Sequence, residues 1–199
     1  MANNLPIWFF DYFWIILVGI VIIAIILSFR HFSKLKYIFE GQAMKRKGKL
    51  QWNFRKPVLT FPYRDRNVIV SIYPGSKYQS AYTRVYTAVN NPGNHIIRIY
   101  GESWASEIGK KLGMQDIQIG SNEFDDKYMI KGDDEYFITR LLTWAVQDKL
   151  LSLRKHRPTV TLESNQFKIN VPKILRTDED YDLLLDTALA FVDRLVESQ

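Results

Sequence analysis

The feature that most constrains this chain is the block YFWIILVGIVIIAIILSF at residues 12–29. It holds no charge and no proline, and its one glycine is Gly19. An apolar helix of about 20 residues matches a hydrocarbon core of about 30 Å. A helix packed in a water-soluble core normally keeps a polar face, and this block has none. A cleaved leader would need a basic start and a small-residue cleavage site. Residues 1–6 lack Lys and Arg, and Ser28-Phe29-Arg30 closes the run. The block therefore reads as a retained, single-pass transmembrane helix. Trp8, Phe9, Phe10, Tyr12, Phe13 and Trp14 would form an interfacial aromatic belt around Asp11.

Charge sets the expected direction. No Lys or Arg precedes the block, whereas Arg30, Lys34, Lys36, Lys45, Arg46, Lys47 and Lys49 follow it. The positive-inside rule places the N-terminus outside and the C-terminal domain in the cytoplasm, at an inner or plasma membrane. The chain contains no cysteine, which fits a reducing compartment.

The net charge of +6 is unevenly distributed. Residues 30–66 carry 11 Lys and Arg against Glu40 and Asp65, a surplus of nine, while residues 67–199 carry 16 against 18 Asp and Glu. A nucleic-acid binder needs a basic domain, so that class is set aside. The basic cluster Lys34, Lys36, Lys45, Arg46, Lys47 and Lys49 instead suits anionic lipid headgroups, at about 1 kcal/mol per charge near the surface. A topology signal alone would need the same residues.

Three segments follow: an N-terminal tail and spanning helix at 1–29, a basic juxtamembrane segment at 30–56, and an α+β domain at 57–199. Phe32, Leu35, Ile38 and Phe39 recur at helical spacing within the second, and residues 44–48 read as a linker or turn. A fragment of residues 50–199 is expected to fold alone. Strands are predicted at 58–61, 67–73, 81–89 and 95–100, where β-branched and aromatic residues alternate between turn signals. The run Asn90-Asn91-Pro92-Gly93-Asn94 suggests a hairpin joining the last two. A short helix is predicted at 102–112 and two strands near 116–132. Asp133 is expected to cap one helix over 134–153, ended by Pro158. A hairpin about Ser164-Asn165 and a final helix from Thr177 complete the pattern. These hairpins imply mostly antiparallel strands with about three helices, an α+β fold.

No catalytic set emerges. Nucleophilic catalysis needs a Ser, Thr or Cys beside a base; the chain has no Cys, and none of His31, His95 and His156 has a Ser partner by sequence pattern. Ser152-Leu153-Arg154-Lys155 has Ser-x-x-Lys spacing but closes a helix instead of opening one. Gly101 and Gly109-Lys110-Lys111 lack phosphate-loop spacing. The acidic residues Asp125, Asp126, Asp133, Asp134 and Glu135 lack the register of a calcium loop. No metal site and no cofactor are expected.

One constellation suggests binding. Tyr82, Arg84 and Tyr86 alternate on one strand, and Arg98 and Tyr100 on the next, so a hairpin would join them in a mixed Tyr/Arg surface. Such a surface stacks bases, holds an anion or anchors a protein partner. Ordinary cross-strand packing would use the same residues.

The segment FDDKYMIKGDDEYFITRLLTWAVQDKLLSL, followed by VTLESNQFKINVPK, resembles a pattern in uncharacterised bacterial membrane-anchored proteins. There a Phe-Asp-x-x-aromatic strand leads into an acidic turn, a Leu-rich helix and a hairpin. The resemblance covers the C-terminal third and implies a membrane-tethered cytosolic domain in a bacterium. It brings no catalytic or ligand residues.

The expected function is a membrane-anchored cytosolic interaction or scaffold module without catalysis, with a protein partner. The alternatives are a membrane-bound enzyme built on carboxylates such as Glu102, Glu107, Asp125 and Asp126, and a sensor of a small anion through the Tyr/Arg face.

Overall fold

A computed structural model describes residues 7–53, 56–101 and 115–197, with side chains of the first helix described at 12–24, at 26 and from 33 onward. The predicted helix at 102–112 lies outside the described residues. Helix α1 (Ile7–Lys45) leads into β1 (Lys49–Asn53), β2 (Lys56–Tyr63), β3 (Arg66–Tyr73), β4 (Tyr82–Ala88) and β5 (Ile97–Gly101). Then come β6 (Gln115–Ile117), α2 (Asn122–Asp125), β7 (Tyr128–Gly132), α3 (Glu135–Leu141) and α4 (Trp144–Leu153). A 3-10 turn (Arg154–His156), β8 (Thr159–Glu163), β9 (Gln166–Val171) and α5 (Asp178–Glu197) finish the chain.

Among the described residues the strands form one nine-stranded antiparallel sheet in the order β1-β2-β3-β4-β9-β8-β5-β7-β6. Alternation decides its two faces. Val68, Val70 and Ile72 of β3, Val85 of β4, and Phe167, Ile169 and Val171 of β9 are buried on one side. Helix α5 lies over β4 and β9, with α4 beside it, and Leu184, Leu185, Ala188, Phe191 and Val192 fill the interface. The opposite face carries the polar and aromatic residues of each strand, mostly half-buried. The α+β class with an antiparallel sheet is thus the observed architecture.

The expected membrane-spanning, single-pass anchor is corrected. Among the described residues no helix is long and apolar enough to cross a membrane. Nor does the helix end near Phe29. It continues to Lys45, and Leu35, Ile38, Phe39 and Gln42 are buried in the domain core. The segment that read as a basic juxtamembrane stretch is, as far as Lys45, a helix packed on the domain, and it then enters β1. Tyr12, Trp14, Ile15, Ile20 and Ile26, earlier on α1, remain more than half exposed.

The end of α1 is a Schellman motif. Gly48 N–H reaches Ala43 O at 2.8 Å and Lys47 N–H reaches Met44 O at 3.4 Å, with Lys47 left-handed at φ 52°. A side chain at Gly48 would meet the Thr60 carbonyl of β2, so the chain turns into β1 at a place only glycine fills without a shift.

Two further expectations change. The single helix over 134–153 is two, α3 and α4. Asp134 caps the first by accepting from Phe137 N–H at 2.9 Å. The break falls where Leu142 leaves helical geometry and Thr143 is extended. Gln147 then caps the freed Leu142 carbonyl at 2.7 Å. The hairpin of β4 with β5 does not form either, because β9 and β8 lie between them. Asn91 explains the detour. Its side-chain amide donates to Ser164 O at 2.7 Å and to His95 O at 2.9 Å, tying the chain after β4 to the β8–β9 turn.

Candidate functional site

The polar sheet face gathers the strongest cluster. Tyr73 of β3 and Tyr82 of β4 are cross-strand partners, stacked with centroids 4.4 Å apart. The Arg84 guanidinium lies over both rings, 5.2 Å and 5.0 Å from their centroids. Its Nε donates to Asn170 Oδ1 of β9 at 2.7 Å, which holds the planar group against the rings. Tyr86, two positions on, sits opposite Ile69 on one side and Lys168 on the other. Its hydroxyl is pushed above the ordinary tyrosine range, foremost by burial and then by nearby Tyr73. It stays protonated at neutral pH.

The register decides which expected residues meet. One row across the sheet reads Tyr86, Lys168, Thr161, Arg98, Lys131 and Asp116. Tyr86 and Arg98 are therefore three strand spacings apart, about 14 Å, instead of adjacent. Tyr82, Arg84 and Tyr86 form one patch, which Tyr73, Asn170 and Lys168 complete. Arg98 and Tyr100 belong to another place. Arg98 faces Glu163 at 3.5 Å, and Tyr100 is buried with its hydroxyl 3.3 Å from Met129 Sδ. Burial foremost, with Asp116 nearby, also raises the Tyr100 hydroxyl.

The six basic residues assigned to lipid do not share one surface role. Lys45 bonds Asp178 and, at 2.9 Å, Asp182 of α5. These bonds raise its ammonium to about 12. Arg46 reaches Asp182 at 3.4 Å and Asp186 at 3.2 Å, and lies over the Phe61 ring. Lys36 pairs with Glu40 at 3.7 Å along the helix, Lys47 forms the left-handed turn and Lys49 opens β1. Lys34 lines a small cleft with Leu35, Ile38, Leu175 and Arg176.

Of the candidate carboxylates only Asp125 and Asp126 are among the described residues, and they share no site. Asp125 accepts from Ile119 N–H and Ser121 N–H and closes its own loop, and Asp126 is exposed at a helix end. Glu102 and Glu107 lie outside the described residues. Asp133 accepts from Ile96 N–H at 2.9 Å. Among the described residues no His, Asp and Glu cluster could hold a metal ion.

The sequence concealed a pair between distant residues. His156, buried after α4, places Nε2 2.8 Å from Asp180 Oδ1 in the first turn of α5. Lys155 reaches the same oxygen at 3.0 Å. Burial pushes the His156 imidazole below its ordinary value against the opposing pull of Asp180, so the ring is neutral at pH 7. Asp180 is held below the usual carboxylate range by its bonds to Lys155, Thr177 and His156, which outweigh burial. The sequence signal was slight: a histidine at a helix end, with no nearby partner.

Comparison with known proteins yields a fold relationship. No protein-family model matches the chain. No curated protein matches it. Its structure is similar to the crystal structure of the mycobacterial trehalose monomycolate transport factor A, TtfA, with a TM-score of 0.54 and 12% sequence identity. The match covers 81% of this chain and 94% of that one. At that identity the likeness concerns the fold alone.

Proposed function

We propose that this chain is a non-catalytic interaction module whose contact surface is the polar sheet face around Arg84, and that its partner is a protein presenting an acidic segment. The observation that carries this reading is the pair Arg84 and Lys168. They are diagonal neighbours about 7 Å apart across β4 and β9. No carboxylate pairs with either among the described residues. Arg84 is already ordered by Tyr73, Tyr82 and Asn170, so little side-chain entropy remains to be lost on binding. Tyrosine and arginine are the side chains that most often anchor protein interfaces. The structural neighbour is called a transport factor. A role of that kind agrees with a binding surface, and among the described residues Asp125, Asp133 and Asp134 are committed to backbone amides.

A photo-crosslinking amino acid at position 86 tests the reading in cells. It should trap a partner through a peptide rich in Asp or Glu, and Arg84→Glu should abolish the crosslink. Absence of any crosslink, or one that survives Arg84→Glu, would reject this face as the contact. A second reading, capture of a small anion, rests on the same unpaired cations. It predicts that inorganic phosphate binds the purified chain and is lost in Arg84→Glu, with no protein crosslink.

A further inference from the structure

A separate cavity of about 470 Å³ opens where the ends of β4 and β9 meet the start of α5. Its polar lining comes from Ser80, Lys173, Arg176 and Asp180, and Leu175 forms an apolar wall. A cleft of about 160 Å³ adjoins it and shares Leu175 and Arg176. Lys34, Leu35 and Ile38 of α1 close the cleft's other side. The two spaces thus pass from a cationic chamber to a mostly apolar slot, with Arg176 at their boundary.

The backbone that carries these cations is held firmly. Thr83, buried on β4, donates its hydroxyl to Lys173 O at 2.8 Å and accepts from Leu175 N–H at 3.2 Å. Lys173 N–H closes a tight turn onto Val171 O at 2.7 Å. Lys173 and Arg176 are themselves exposed. Neither they nor Lys34 have a carboxylate within ion-pair distance among the described residues.

The one acid in the lining lies within ion-pair distance of neither Lys173 nor Arg176 and is engaged elsewhere. Asp180 Oδ1 is taken by His156 and by Lys155. The chamber therefore presents two free cations and a hydroxyl around a space with a surplus of positive charge. Oxygen-rich anions satisfy that donor set, since arginine offers a planar fork and lysine a point charge.

We infer that this chamber binds a phosphate group through Lys173, Arg176 and Ser80, at a site distinct from the polar sheet face. The phosphate is either free or the headgroup of an amphiphile whose chain enters the slot lined by Leu35, Ile38 and Leu175.

Calorimetric titration of the full chain, kept in a nonionic detergent because the α1 apolar face is exposed, tests this with two probes. One is glycerol 3-phosphate and the other is dihexanoyl phosphatidic acid below its micelle concentration. Lys173→Ala and Arg176→Ala should each weaken binding by about tenfold, the loss expected for one charge-assisted hydrogen bond. Arg176→Lys should restore part of it. Lys127→Ala, an exposed cation elsewhere, should change nothing. Tighter binding of phosphatidic acid, weakened by Ile38→Asn with glycerol 3-phosphate unaffected, identifies an amphiphile. Equal binding of both probes identifies free phosphate. No binding of either probe, or binding insensitive to Lys173→Ala and Arg176→Ala, overturns the site.

Discussion

Phe39 of α1 packs edge-on against Tyr181 of α5, with ring centroids 5.1 Å apart and planes at 73°. The contact joins the end of the first helix to the beginning of the last. Both rings are about 1% exposed, so each completes the other's burial. Three positions on, Gln42 donates to Asp178 and Asp182, both at 2.8 Å, and accepts from Arg46 at 3.1 Å. The last turns of α1 are therefore part of the domain.

Phe39→Ala should destabilise the chain by about 3–5 kcal/mol, the range for truncating a buried phenylalanine. Urea denaturation of the full chain measures it. For the same reason a fragment of residues 50–199 should expose the Tyr181 surface and unfold without a sharp transition, whereas residues 33–199 should unfold cooperatively. Equal cooperativity in the two fragments would show that α1 is dispensable.

Thr83→Val keeps shape and removes the hydroxyl that clamps residues 173–175. It leaves a buried amide and a carbonyl short of a partner, at about 1–3 kcal/mol. Stability should fall by that amount in thermal or urea unfolding, and the phosphate probes should bind less tightly because Lys173 and Arg176 lose their fixed backbone. Unaltered stability would mean that water replaces the hydroxyl.

The turn after α1 offers a gain. Lys47 occupies a left-handed position that costs a non-glycine residue roughly 1 kcal/mol. Lys47→Gly should raise stability by about 0.5 kcal/mol once the extra freedom of the unfolded chain is subtracted. Gly48→Ala should lower it by about 1–3 kcal/mol, because the new methyl meets the Thr60 backbone carbonyl at 2.9 Å. Opposite signs at adjacent positions make the pair a sharp check by urea midpoint.

His156 gives the fold a pH dependence. Its folded-state value is depressed, so between that value and about 6.5 the unfolded chain binds more protons. The neutral ring's contribution is complete above about pH 6.5 and is lost as pH falls through the folded value. Asp180, also depressed, acts lower, losing its contribution as pH falls below the ordinary carboxylate range. The wild-type urea midpoint should drop from about pH 7.5 to about pH 5.5, the interval around an ordinary histidine. His156→Gln should flatten that slope. An unchanged slope in the variant would assign it to other groups.

Local pattern made much of this chain legible. Alternation in NVIVSIY and YTRVYTA determined which side chains of β3 and β4 face the core, because successive side chains on a strand point to opposite sides. Thr177 as the start of the last helix was equally local, since its hydroxyl accepts from Asp180 N–H three residues on. Composition likewise isolated Tyr82, Arg84 and Tyr86 as one face. What sequence could not supply was who stands next to whom. Inserting β9 and β8 between β4 and β5 separated Tyr86 from Arg98 and gave Arg84 its partner Asn170. The same long-range assembly drew Lys45 and Arg46 onto the acids of α5, brought His156 to Asp180, and set Arg176 beside α1. A side chain's direction is dictated within a few residues by backbone geometry. Its neighbours depend on pairing between segments up to 140 positions apart, which no short window of sequence encodes.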